Sequence, residues 1–299
     1  MRQAAPSYSS DSALENSQPI AVPRSKPNDG IVGLRTDVLG ANSMGAAASP
    51  LSSMVLPSSP FAPSQAKTLA TPLCSNRRWP DDVDVWRVDV AVDVSELANM
   101  SATLEVAEQK RAWCFRRHID RARYVSARYV LRCLLSGRLG ARPQDLRLAF
   151  GAHGKPYLPD DPSLSFNVSH SGLCALITFS YGRHVGIDLE YIDDTFDWTT
   201  VAAVVCSTAE PQALANTASA ERQRAFFRLW TAKEALIKGV GTGITDDLPK
   251  IAVNLPESGD EQSRAPHLSR SAADCPWTYQ WIGELDGYIG CVAFDSVSA

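Results

Sequence analysis

Apolar and polar residues alternate from Val85 to Val94, with Trp86, Val88, Val90, Val92 and Val94 on one face. A period of two over that length predicts a half-buried strand. Glu105 to Lys110 opens a charged helical stretch. Asp120 to Leu135 predicts a stronger helix, with Val125, Tyr129 and residues 131–135 on its apolar side and Gly137 near its end. The period then returns to two. Leu146 to Phe150 leads into a glycine-rich turn from Gly151 to Pro156, and Ser165 to Ser169 is short and extended. Ser171-Gly172 turns the chain into the apolar strand Leu173 to Phe179, and Tyr181-Gly182 turns it again into Val185 to Glu190. Trp198 to Val205 and Glu221 to Gly239 read as helices, the second stopped by Gly239-Val-Gly-Thr-Gly243. Ile251 to Leu255, Trp277 to Gly283 and Tyr288 to Phe294 predict three closing strands, and the polar insert from Glu257 to Ala273 predicts a mobile loop. This order predicts an α+β fold in two halves, each mixing helices with an antiparallel sheet.

The first stretch breaks the pattern. Nine of the 19 prolines lie before Asn76, whereas Tyr8 and Phe61 are the only aromatic residues there. A segment of Ser, Pro and Ala buries too little apolar surface to offset its ordering entropy, so residues 1–77 are expected to form a disordered extension, with order beginning near Trp79. From Val38 to Pro80 it holds no acidic residue, a weak likeness to an organelle transit sequence, although Asp11, Glu15, Asp29 and Asp37 precede that stretch. The formal net charge of −4 gives no reason to expect nucleic-acid binding. No apolar run approaches the roughly 20 residues that span a bilayer. The seven cysteines are dispersed without a CxxC pair, which reads as reduced thiols in a cytoplasmic protein.

Three groups of residues could carry chemistry. In Gly186-Ile-Asp-Leu-Glu190, strand alternation places Asp188 and Glu190 on one face and Ile187 and Leu189 on the other. Paired hard oxygens of this kind suit Mg²⁺, which also binds substrate phosphates. A solvated strand face has the same pattern. In the helix around Glu234, Phe227, Trp230 and Ile237 share its stripe. A carboxylate in an apolar stripe is costly without a partner. An ion pair with Lys238 at i+4 accounts for the lysine, and a metal or a proton transfer accounts better for the burial. Gly154-Lys155-Pro156 and the run from Phe166 to Ser171, with Ser169 and His170 at a strand end, could offer donors to a phosphate. A solvated turn and a locally bonded histidine fit them too. There is no Walker-type loop, no GxGxxG after a strand and no GxSxG elbow.

Together and in this order, these pieces resemble the surfactin-type (Sfp-type) 4'-phosphopantetheinyl transferases. The matching residues are Gly154-Lys-Pro156, Phe166-Asn-Val-Ser-His-Ser171, Gly186-Ile-Asp-Leu-Glu190 and Phe227-Arg-Leu-Trp-Thr-Ala-Lys-Glu-Ala-Leu-Ile-Lys238. The resemblance runs from about Val83 to the C-terminus. It implies halves at 78–184 and 185–299 related by a pseudo-twofold, with the active site in the cleft between them. It implies an enzyme, a holo-[acyl-carrier-protein] synthase, that moves phosphopantetheine from coenzyme A to a serine of an apo acyl or peptidyl carrier protein. Mg²⁺ would lie on the coenzyme A pyrophosphate, and the enzyme would be a monomer. Asp188, Glu190 and Glu234 match the family's metal carboxylates. Lys155, Ser169 and His170 match its coenzyme A contacts, and Lys238 matches the lysine beside the pyrophosphate. Arg111 and Arg123 fall near its basic residues for the 3'-phosphate. Glu234 is the expected general base. The sequence departs from the family at Cys206, where an aromatic residue is common. An inactive coenzyme A or nucleotide-binding protein of the same fold, and a scaffold whose extension recruits a partner, are the alternative readings.

Overall fold

In a computed structural model the chain is described over residues 69–241, 248–255, 277–283 and 285–296. The first half comprises β1 (Ala70–Leu73), β2 (Val83–Asp89), α1 (Val94–Ala102), α2 (Val106–Trp113) and α3 (His118–Leu139). A small hairpin of β3 (Ala149–Phe150) and β4 (Pro156–Tyr157) follows, then β5 (Leu164–Ser171) and β6 (Cys174–Tyr181). The second half comprises β7 (Val185–Tyr191), α4 (Thr199–Val205), α5 (Glu210–Asn216), α6 (Arg222–Val240), β8 (Trp277–Ile282) and β9 (Tyr288–Asp295). The expected α+β class is observed.

Two antiparallel sheets organise these elements, in the orders β1-β2-β6-β5 and β7-β9-β8. Setting β1 aside, each half runs strand, helices, hairpin, and in each the last hairpin strand pairs with the first strand. Each long helix ends at a left-handed glycine, Gly140 (φ 67°) after α3 and Gly241 (φ 81°) after α6. A β-carbon there costs about 1–2 kcal/mol.

Apolar faces explain the layering. Val125, Tyr129, Leu131 and Leu134 of α3 pack with Trp86, Val88, Phe166, Ile177 and Phe179 of the first sheet. Phe226, Leu229, Ala232 and Leu236 of α6 pack with Tyr279, Trp281, Cys291 and Ala293 of the second. The opposite strand faces meet in a third cluster, where Val83, Val85, Cys174 and Leu176 join Ile187, Leu189, Val292 and Phe294. Each sheet is therefore covered by its helix on one side and contributes to a common core on the other.

Each long helix is also pinned by a buried cation. Arg132 of α3 donates to Glu108 Oε2 at 2.6 Å and to the carbonyls of Pro143 and Leu146 at 2.7 and 2.9 Å. Lys233 of α6 donates to Glu210 Oε2 at 2.6 Å and to the carbonyls of Val205 and Leu248 at 2.6 and 3.1 Å. Both cations are 0% exposed. Each stands eight residues before the glycine that ends its helix.

Several sequence expectations need correction. The first strand ends at Asp89, and Val92 and Val94 are 54% and 70% exposed. The alternation continues past the strand, but Asp93 caps α1 by accepting the Glu96 N–H at 2.9 Å, which starts a helix instead. Pairing begins earlier than Trp79. Ala70–Leu73 adds β1 beside β2, inside the stretch read as an extension, and residues 1–68 lie outside the described residues. The segment Ile251 to Leu255 forms no strand. The N–H groups of Val253 and Asn254 go to side chains instead, Glu210 Oε1 at 2.8 Å and Tyr279 Oη at 3.1 Å. The Glu257 to Ala273 insert lies outside the described residues. Cys206 is buried in the second core at the end of α4, filling the place where an aromatic residue was expected.

Candidate active site

The site grows from the meeting of β5 and β7. One edge of β7 forms a backbone ladder with β9. Along a strand, successive N–H groups point to opposite edges, so those of Val185, Ile187, Leu189 and Tyr191 face β5. They donate to Ser165 Oγ (3.2 Å), Asn167 Oδ1 (2.9 Å), Ser169 Oγ (3.2 Å) and Ser171 Oγ (3.0 Å). A constant offset of 20 residues means the two strands run parallel. A seam of polar side chains thus satisfies backbone groups that burial would otherwise leave costly. Asn167 and Ser169 are buried in it.

Two serines of the seam also reach the carboxylates. Ser169 Oγ donates to Asp188 Oδ1 at 2.8 Å, and Ser171 Oγ donates to Glu190 Oε2 at 3.0 Å. Asp188 is 0% exposed and Glu190 7% exposed, which excludes the solvated strand face. Gly186, Asp188 and Glu190 share the β7 face turned to α6. A β-carbon on Gly186 would overlap the Ala235 carbonyl oxygen and the Gly239 backbone, so the glycine lets α6 rest directly on the strand. That contact brings Lys238 over the strand. Its Nζ donates to Asp188 Oδ1 at 2.7 Å and to Ser169 Oγ at 3.2 Å.

Ser169, Asp188 and Lys238 are therefore in direct contact, and Glu190 joins them through Ser171 and β7. Glu234 lies one turn before Lys238 on α6 and is buried, as its apolar stripe predicted. Lys238 makes a longer-range contact, to Asp188. Among the described residues no group of three or more His, Cys, Asp or Glu side chains is spaced to hold a metal ion. In donor type, the buried oxygens of Asp188 and Glu190 still suit a hard divalent cation.

The other expected residues sit further out. Lys155 projects from the Gly151–Pro156 turn and donates to the carbonyls of Val185 at 3.0 Å and Gly239 at 2.8 Å. It thereby ties the turn to the start of β7 and the end of α6. Burial pulls its ammonium down to about 8, with the Asp295 carboxylate opposing. His170 is half-buried on β5 and, by alternation, shares a face with Phe166 and Val168 rather than with Ser169. Arg111 and Arg123 stand at the corner of α2 and α3. Arg111 lies over the Phe115 ring at 5.7 Å, and Arg123 pairs with Asp120 at 3.2 Å.

Sequence reasoning missed the seam and the anchor of α6. The seam had a signal, since Ser165, Asn167, Ser169 and Ser171 alternate with Phe166, Val168 and His170. Such alternation looks the same for a solvated face as for a polar joint between strands. The anchor had none, because Lys233 meets a glutamate 23 residues away and two backbone carbonyls. Burial lowers the Lys233 ammonium, against the pull of Glu210.

Two family models match the chain, one after the other. Residues 92–180 match the family model described as 4'-phosphopantetheinyl transferase, N-terminal. Residues 184–293 match that of the 4'-phosphopantetheinyl transferase superfamily. The chain is 37% identical over 167 residues to the 4'-phosphopantetheinyl transferase HetI of a Nostoc species, covering 55% of this chain and 70% of that relative. It is 28% identical over 224 residues to a phosphopantetheinyl transferase of a Thraustochytrium species, covering 69% of this chain and 76% of the relative. It is 28% identical over 163 residues to the 4'-phosphopantetheinyl transferase Sfp of Bacillus subtilis, covering 54% and 71%. Both halves are matched in order, and the Nostoc enzyme is spanned over most of its length; the chain belongs to the 4'-phosphopantetheinyl transferase superfamily.

Proposed function

We propose that this chain transfers 4'-phosphopantetheine from coenzyme A to a serine of an apo acyl or peptidyl carrier protein, giving holo-carrier and 3',5'-ADP. Family membership across both halves carries the reading. The buried Ser169, Asp188, Glu190 and Glu234, with the half-buried Lys238 against Asp188, support it chemically. In this proposal the serine oxygen bonds to the β-phosphorus of coenzyme A and the bond from that phosphorus to the bridging oxygen breaks. The electron pair leaves with 3',5'-ADP. A serine hydroxyl is a weak nucleophile at neutral pH and needs a base. Glu234, buried on α6, takes its proton directly or through one water. Lys238 places positive charge where the leaving oxygen gains negative charge.

Mg²⁺ is the proposed metal, held by Asp188 and Glu190 with Glu234 as the third carboxylate. When bound it would neutralise charge on the pyrophosphate. Lys155, Ser169 and His170 are the proposed coenzyme A contacts, and Arg111 and Arg123 those for its 3'-phosphate. Among the described residues no helix is long and apolar enough to cross a membrane. A cytoplasmic location and a monomer, with both halves supplied by one chain, complete the reading.

The test is intact mass. With coenzyme A and Mg²⁺, a panel of apo-carriers should include one that gains a single phosphopantetheine on one serine, and Glu234→Gln and Asp188→Asn should abolish the gain. A panel that includes apo-carriers for fatty-acid, polyketide and peptide synthesis and shows no gain, alongside calorimetric binding of coenzyme A, would overturn the transfer reading.

A further inference from the structure

We infer that Ser171 is a positioning residue for this reaction, holding the Glu190 carboxylate in place through its hydroxyl. The inference rests on the proposed role of Glu190 at the metal. Ser171 Oγ accepts the Tyr191 N–H at 3.0 Å and lies 3.0 Å from Glu190 Oε2. A backbone N–H can only donate, so it fixes which way the hydroxyl dipole points. The serine proton is then directed at the carboxylate, which is acceptor-only when ionised. Hydrogen bonds to an ionised group are about twice as strong as neutral ones. One residue of β5 thus reads the position of the β7 backbone and passes it to the β7 side chain beside it.

The same device recurs one step along the seam, and its absence at a third position isolates what it does. Ser169 Oγ accepts the Leu189 N–H and donates to Asp188, where Lys238 adds a second restraint on the same oxygen. Ser165 Oγ accepts the Val185 N–H at 3.2 Å, but the residue before Val185, in the place that Glu190 and Asp188 take before Tyr191 and Leu189, is His184, which has no carboxylate to hold. Ser165 therefore has the seam bond without the carboxylate. A glutamate has three rotatable bonds to fix, one more than aspartate, so the restraint matters most at Glu190. Partners that orient metal ligands change affinity by about 10–100-fold when removed.

The experiment uses the full chain with coenzyme A present and Mn²⁺ as a spectroscopically visible stand-in for Mg²⁺. Its readouts are the Mn²⁺ dissociation constant by electron paramagnetic resonance and the melting temperature. Ser171→Ala should weaken Mn²⁺ about tenfold, at the low end of that range. Ser171→Thr, which keeps the hydroxyl, should stay within about twofold of wild type. Ser165→Ala should lower the melting temperature while leaving Mn²⁺ affinity unchanged, and Glu190→Gln should weaken Mn²⁺ at least as much as Ser171→Ala. If Ser171→Ala fails to fold, Ser171→Cys gives the same comparison, because a thiol is a weak donor of similar size. Wild-type Mn²⁺ affinity in Ser171→Ala, or in Ser171→Cys where that variant replaces it, beside a weakened Glu190→Gln overturns this inference alone. An equal loss in Ser165→Ala overturns it in favour of a seam that acts only as glue. Unchanged affinity in Glu190→Gln overturns the underlying assignment of Glu190.

Discussion

Replacing Lys233 with methionine removes a buried charge from the helix that carries Glu234 and Lys238, and the cost can be worked from its contacts. Lys233 Nζ holds the Val205 carbonyl, the Glu210 carboxylate and the Leu248 carbonyl within 3.1 Å, and none of the residue is exposed. Methionine fills much of the same volume but leaves Glu210 without its countercharge and two carbonyls without their donor. Breaking a buried pair costs about 3–5 kcal/mol. Glu210 keeps the N–H groups of Ser207 at 2.7 Å and Val253 at 2.8 Å, which favours the lower end of that range. About 3 kcal/mol corresponds to a fall of roughly 6–12 °C in Tm for a folded region of this size. Urea titration followed by tryptophan fluorescence is the assay, because Trp198, Trp230 and Trp281 all pack in or against the second core. Lys233→Met together with Glu210→Gln should recover at least about 1 kcal/mol by removing the stranded charge. A Lys233→Met protein melting within 2 °C of wild type would refute the reasoning.

Two further outcomes follow from the same geometry. Lys155 is pulled by burial from its ordinary 10.5 to about 8, so above pH 8 the unfolded chain binds a proton that the folded chain has released. Stability should therefore rise between about pH 8 and 10.5, by on the order of 2–3 kcal/mol, and Lys155→Met should lack that rise. Parallel urea-derived stability curves for the two proteins would contradict it. A chain beginning at Leu69 should retain transfer activity and melting temperature, whereas one beginning at Arg78 loses β1 and should melt lower; equal melting of the two would show β1 to be dispensable.

What the sequence made legible depended on whether a residue's partner lay nearby. Gly186 to Glu190 was readable because strand alternation is local, and α6 was readable because its apolar stripe recurs within four residues. The stripe also foretold that Glu234 is buried. Whether Asp188 and Glu190 face water or protein was not readable, since that is decided by Ser169 and Ser171, nineteen residues back. β1 was hidden by composition, because Pro72 and Pro-rich surroundings argue against a strand, yet an edge strand tolerates proline. The segment Ile251 to Leu255 had the apolar character of a strand, but its N–H groups were claimed by Glu210 and Tyr279.

The repeated cation anchor has a consequence for stoichiometry. Measured from Arg132 and Lys233, the position that holds Glu234 in α6 holds Cys133 in α3, and the position that holds Lys238 holds Gly137. On the corresponding first strand, Trp86 and Val88 fill the helix-covered face with apolar bulk, where β7 presents Asp188 and Glu190 to α6. The strand-and-helix plan occurs twice, but among the described residues it is the β7–α6 face that brings Asp188, Glu190 and the Lys238 ammonium together. One chain should therefore count as a single active-site equivalent in any titration. Removing the second half should leave none, rather than half of the original count.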